Sequence, residues 1–158
     1  MFRKMLRSAQ QLPTEECLDL LIKEPRGVLS VLGDGGYPYG FPMNHWYCEE
    51  DGCLYFHCGL HGHKLDALRA HDRVSFCVYD QGYRREGEWA LNIRSVIVFG
   101  RIEIISDIDQ VSHITHQLSL KYTDDLEYIR REIRMAASHT LCLRLRPEHI
   151  TGKLVNES

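Results

Sequence analysis

The densest run of chemistry-bearing side chains is Tyr55-Phe56-His57-Cys58-Gly59-Leu60-His61-Gly62-His63-Lys64. Its first residues read as a strand end and two glycines break it. His63–Ala70 then has helical spacing, with Leu65 and Leu68 directed inward. Such a strand–turn–helix junction leaves several backbone N–H groups unpaired and aimed at one spot, which favours an anion such as phosphate. Lys64 adds a fixed positive charge in the first helical turn. The helix dipole disfavours a cation there unless an anion compensates it. The competing reading is an ordinary capping loop with a solvated lysine.

His57, His61 and His63 also invite a metal reading. They lack the i, i+4 helical spacing of common histidine pairs and have no neighbouring carboxylate, so no metal is expected. Contact with a phosphate or a ring suits one or two of them better. Neither Gly-x-Ser-x-Gly nor a reactive-cysteine signature is present, which argues against a hydrolase triad. No Gly-x-Gly-x-x-Gly fingerprint is present either, so a dinucleotide would not be held in that way. The six cysteines (17, 48, 53, 58, 77 and 142) contain no C-x-x-C pair. On a strand Cys53 and Cys58 point to opposite faces and cannot easily share a metal, so they read as free, mostly buried thiols.

The elements that must position this cluster fit a chain of 158 residues, a length that suits one domain with a real core. With 19 basic against 22 acidic residues, the net charge of −3 argues against a nucleic-acid partner. No run approaches the ~18 apolar residues of a membrane span, and the first sixteen residues lack an apolar signal core. A soluble, cytoplasmic protein is the expectation.

Thr14 caps a helix over Glu15–Lys23, which Pro25 and Gly27 end. Val28–Leu32 reads as a strand and Gly33–Gly36 as a tight turn. The strand Tyr37–Tyr47 contains Pro42, which implies an edge, a bulge or departure from the sheet. A turn over Glu49–Gly52 leads to a strand over Cys53–Cys58. After the short helix, Val74–Tyr79 alternates as a strand and 80–88 is a loop. Leu91–Ile105 is the longest β-branched run, with Gly100 marking a bend or a close backbone approach. Helices follow over roughly 107–121 and 123–137, and Thr140–Arg146 closes the chain with alternating leucines. Hairpins with helices set aside describe an α+β fold built on an antiparallel barrel. A doubly wound parallel sheet is excluded, because strands do not alternate with long helices.

Four stretches then take on a family likeness: Gly27–Ser30 with Gly35–Pro42 (GGYPYGFP), Tyr55–Lys64, Ser95–Arg101 (SVIVFGR) and Pro147–Lys153 (PEHITGK). In their order and spacing they resemble the pyridoxamine 5′-phosphate oxidase-like FMN-binding split barrels, within them the nitroimidazole-resistance (Nim) branch. The resemblance implies a six-stranded antiparallel split barrel with peripheral helices, comprising one domain over residues 1–158. The N-terminal helix would lie at about 14–24 and the barrel at about 27–153. It further implies a homodimer with FMN at the subunit interface.

Carried over by motif, Lys64 resembles the lysine that binds the FMN phosphate. Gly62 stands where many relatives have serine, and His63 where many have arginine. Pro42, Met43 and Asn44 match the strand running along the isoalloxazine edge. Ser95, with Val96 beside it, falls where oxidase relatives carry a flavin-contacting glutamine. His57 matches the histidine of the Tyr-Phe-His motif, an implied proton donor and the one implied catalytic residue. With His61 in the phosphate loop, these residues make up the implied cofactor site. The tail ITGKLVNES lacks the basic, arginine-containing strand that grips the oxidase substrate, so vitamin B6 oxidation is not the expected activity. The expected function is FMN-dependent reduction of a nitro-aromatic or other small electrophile. A flavin-binding or sensing module without turnover and a haem-binding split barrel are the alternatives.

Overall fold

The computed structural model describes residues 1–156, and no helix among them is long and apolar enough to cross a membrane. Helix α1 (Thr14–Lys23) is followed by β1 (Arg26–Leu32), β2 (Pro38–Asn44), β3 (Trp46–Cys48) and β4 (Cys53–Cys58). Helix α2 (His63–Ala70) leads to β5 (Arg73–Tyr79) and β6 (Asn92–Ile105). Helices α3 (Ile108–Leu120) and α4 (Leu126–Ala136) precede β7 (Leu141–Asn156). All strands join one antiparallel sheet in the order β2-β1-β5-β6-β7-β4-β3, which curls into a split barrel. The α+β expectation holds.

The described residues form seven strands rather than six, because the run expected over Tyr37–Tyr47 breaks at His45. Residues up to Asn44 pair with β1, whereas residues from Trp46 pair with β4. Those two ladders lie at opposite edges of the sheet, so the chain passes from one edge to the other within a single residue. His45 is fully buried at that corner. Its carbonyl accepts from Lys121 Nζ (3.0 Å) and Tyr122 Oη (3.4 Å) instead of from a ladder. Pro42 accordingly sits on an edge strand, where its missing donor is tolerated.

The closing strand runs to Asn156, ten residues beyond the expected Arg146. Its second half, including PEHITGK, pairs with Asn92–Gly100 of β6. The register shifts at Phe99/Gly100 opposite Pro147 and His149, leaving Glu148 as the bulged residue. Gly100 is required there, since a Cβ would lie 2.1 Å from the Arg146 carbonyl. Thr14 is already helical and makes no side-chain cap. Pro13 precedes it in extended conformation and fixes the entry into α1.

Alternation along the strands divides the side chains. Leu29, Phe41, Phe56, Phe76, Val96 and Leu143 fill the barrel, and α1 closes one side with Cys17, Leu20 and Leu21. Each large apolar side chain buried this way contributes about 1.5–3 kcal/mol. On the opposite face of β4, α3 packs Val111 and Ile114 against Cys53, Tyr55 and Cys142. β4 is therefore covered on both faces until His57, where the cover opens. All six cysteines are free thiols.

Candidate functional site

Lys64 lies in the first turn of α2, after a glycine loop with no steric reason to stay small. A Cβ at Gly59 or Gly62 would meet nothing within 4 Å, although Gly62 has φ +126° and would strain any other residue. Gly62 is the N-cap, and its carbonyl accepts from the amides of Leu65 (3.0 Å) and Asp66 (3.1 Å). The amides of His63 and Lys64 precede these and have no intrahelical partner. The Lys64 ammonium is half-buried, 3.2 Å from Met43 Sδ and 4.6 Å from the centroid of the Phe41 ring. Among the described residues it has no carboxylate partner. A cation, free amides and the positive helix end thus converge where no protein anion answers them, and a phosphate group fits that chemistry.

The other sequence-predicted residues divide around this point. His63 turns its ring away, stacking on Tyr39 (centroids 4.3 Å apart) with Nε2 3.4 Å from Asp34 Oδ2. Its backbone N–H remains at the helix start. His61 and Gly62 are exposed in the loop. Met43 points into the barrel, whereas Pro42 and Asn44 point outward. Ser95 lies on the outer face of β6, in register with Tyr79 and Lys153. Val96 is fully buried between Val78 and Gly152, so its side chain belongs to the core. One chain therefore brings Met43, Lys64 and the α2 amides together, and leaves Ser95 on a different surface.

His57 faces neither group. It stands at the exposed end of β4 in a cleft of about 350 Å³ whose walls are α3 and α4, including Thr115, Ser119, Tyr128 and Glu132. The imidazole is held below its usual pKa, first by partial burial and then by the Lys64 charge. It is therefore neutral at neutral pH. Sequence reasoning missed the cleft because its walls come from helices sixty to eighty residues away. A larger hollow of about 430 Å³, lined by Trp46, Tyr55 and His113 among others, contains none of the sequence-predicted residues.

Sequence reasoning also missed a buried clasp. Lys121 Nζ donates to the carbonyls of Glu24 (2.6 Å) and His45 (3.0 Å) and lies 3.3 Å from His45 Nε2. His45 Nε2 is 2.8 Å from the Leu21 carbonyl, which requires the proton on that nitrogen. Burial, then the Lys121 charge, pushes His45 down to about 3. Burial pushes Lys121 down to about 8. This cluster holds the end of α1 to the barrel corner and has no open surface for a ligand at His45.

Residues 13–154 match the sequence profile of the family described as pyridoxamine 5′-phosphate oxidase. No curated protein matches the chain. Among solved structures, a candidate 5-nitroimidazole antibiotic resistance protein from Bacteroides thetaiotaomicron superposes with TM-score 0.76 at 19% identity, covering 92% of this chain and 87% of that one. An FAD-binding protein from Mesorhizobium loti gives 0.66 at 24% identity, with coverages of 92% and 97%. The FAD and heme binding protein from Mycobacterium smegmatis gives 0.72 at 23% identity, with coverages of 92% and 73%. At these identities the likeness is one of fold.

Proposed function

The chain belongs to the pyridoxamine 5′-phosphate oxidase family, and from that premise we propose that it binds FMN and serves as an FMN-dependent oxidoreductase for a small molecule. The observation that carries the reading is Lys64, a half-buried cation at a helix N-terminus whose neighbours are a thioether and a ring face. A dianionic phosphate supplies the missing counter-charge. Bound FMN would carry the electrons, while the protein contributes binding, orientation and proton supply.

A nitro-aromatic or similar electrophile is the substrate class this reading favours over vitamin B6. The two arginines before Pro147 are engaged with each other's partner rather than free for a substrate phosphate. Arg144 Nη2 lies 2.7 Å and Arg146 Nη2 3.3 Å from the same Glu103 oxygen. The proposal includes a homodimer. Pro42, Val28, Cys77, Ile97 and Thr151 lie in one cross-strand row on the outer sheet face, with Tyr79 and Ser95 beside it. A second copy on that face would bring a partner surface to the phosphate corner that one chain leaves open.

The test separates phosphate from ring binding. A charge-assisted hydrogen bond to phosphate contributes about 1.5–3 kcal/mol, so Lys64→Met should weaken FMN roughly 10–150-fold. Riboflavin, lacking the phosphate, should bind wild type and variant almost equally. Unchanged FMN affinity, or an equal loss for riboflavin, places the phosphate elsewhere.

A further inference from the structure

The walls of the His57 cleft have an unusual hydrogen-bond polarity. Three aliphatic hydroxyls line it, and each has already spent its proton on a main-chain carbonyl. Thr115 Oγ1 donates to Val111 O (2.7 Å), Ser119 Oγ to Thr115 O (2.7 Å) and Thr140 Oγ1 to Ala136 O (2.8 Å). A hydroxyl has one proton and two lone pairs, so what each presents to the cleft is lone pairs alone. The Glu132 carboxylate adds acceptors and the only charge among the lining side chains. Neutral His57 brings one bare nitrogen and one N–H, and Tyr128 one hydroxyl. Acceptors therefore outnumber donors, and the net lining charge is negative.

We propose that the His57 cleft binds a small, flat nitrogen base that is positively charged and carries several N–H donors, of the amidinium or guanidinium type. An anion would face the Glu132 carboxylate, and an acceptor-rich neutral molecule would leave the hydroxyl lone pairs unanswered on desolvation, so either guest is a poor fit. Two of the lining side chains already hold a cation of this type. The Arg131 guanidinium lies over the Tyr128 ring, 5.3 Å from its centroid, and its Nε is 3.8 Å from Glu132 Oε1. A guest cation would meet the same ring and carboxylate from inside. At about 350 Å³ the cleft has room for a single aromatic ring with its substituent. The cleft's preference for cations follows from its own lining and is separate from the flavin site proposed above.

Three near-isosteric probes distinguish the possibilities: benzamidinium, benzamide and benzoate, titrated at pH 7.5 into flavin-free and FMN-saturated protein. His57 and Thr115 resonances report the site. Benzamidinium should shift both and bind at least tenfold more tightly than benzoate. Glu132→Gln should remove roughly tenfold of that affinity, and Thr115→Val should weaken it without the charge changing. Tighter binding of benzoate or benzamide, shifts confined to other residues, or indifference to both substitutions would overturn the proposal. If benzamidinium binds as expected but FMN never does, the cleft stands and the flavin reading falls. The reverse result leaves flavin binding intact and rejects the cation site.

Discussion

His57 is the residue whose environment most constrains its chemistry. Burial and the Lys64 charge both hold its pKa below 6.5, so protonation needs a lower pH than a free imidazole requires. As a proton donor to a reduced substrate it should give a turnover limb that falls as pH rises, with a midpoint below 6.5. His57→Ala should remove that limb and lower turnover by roughly 10²–10⁴-fold, the usual range for general acid catalysis, with a much smaller effect on FMN affinity. At saturating FMN, Lys64→Met should move the limb of the otherwise unchanged protein to higher pH, because one of the two lowering influences is gone. An unshifted limb would mean that the titrating group is not His57. At this scale the sequence was informative where function is local. The run from Tyr55 to Lys64 placed the strand end, the glycine loop and the helix start correctly, because each depends on neighbours. It could not show that His63 would be drawn to Asp34 and Tyr39, or that His57 would look toward Thr115 and Glu132. Those partners are supplied by packing.

Among the elements, the join between α1, the β2–β3 corner and the end of α3 depends on Lys121 and His45. The folded-state pKa of His45 is about 3 against 6.5 for a free histidine. Between those values the unfolded chain holds a proton that the folded one refuses, so stability falls as pH falls from 6.5. The slope approaches about 1.4 kcal/mol per pH unit. Lys121, lowered from 10.5 to about 8, acts with the same sign at the alkaline end, and stability rises between those values. His45→Gln should flatten the acid dependence of urea midpoints measured between pH 7 and 4.5. Lys121→Met should cost about 1–3 kcal/mol at pH 7, because the Glu24 carbonyl loses its donor and the His45 carbonyl keeps only the longer bond from Tyr122. An acid dependence identical in His45→Gln and wild type would remove His45 from the account. This clasp explains why the strand count read from the pattern was one short. Tyr37–Tyr47 is continuous in β propensity, and the break comes from a lysine seventy-six residues further on. The extra length of β7 was hidden for a related reason. Pro147 reads as a stop, but the bulge opposite Gly100 absorbs it and the ladder resumes.

For the whole molecule, the question is what covers the outer face of the sheet. Val28, Ile97 and Phe99 remain 37%, 38% and 37% exposed there, and Tyr79 62%. The N-terminal segment shields one end, where Phe2 stacks on His149 and Phe99 with centroids 4.7 Å and 5.5 Å away. It leaves the row through Val28, Cys77 and Ile97 open. A contiguous apolar face of this kind marks an interaction surface, and interfaces of obligate dimers are large and apolar. A homodimer built on this face predicts that assembly and flavin binding are linked, since the outward Pro42 and Ser95 would then approach a second chain. Ile97→Glu puts a charge at the centre of the row without touching the barrel interior. It should give a folded monomer by sedimentation, with unchanged far-ultraviolet dichroism, and FMN affinity should fall with it. Lys64→Met, in contrast, should lose FMN affinity while sedimenting as a dimer. If Ile97→Glu remains dimeric, the interface lies on another surface. If it is monomeric but binds FMN as the wild type does, each flavin site is complete within one chain, and the open phosphate corner needs no partner.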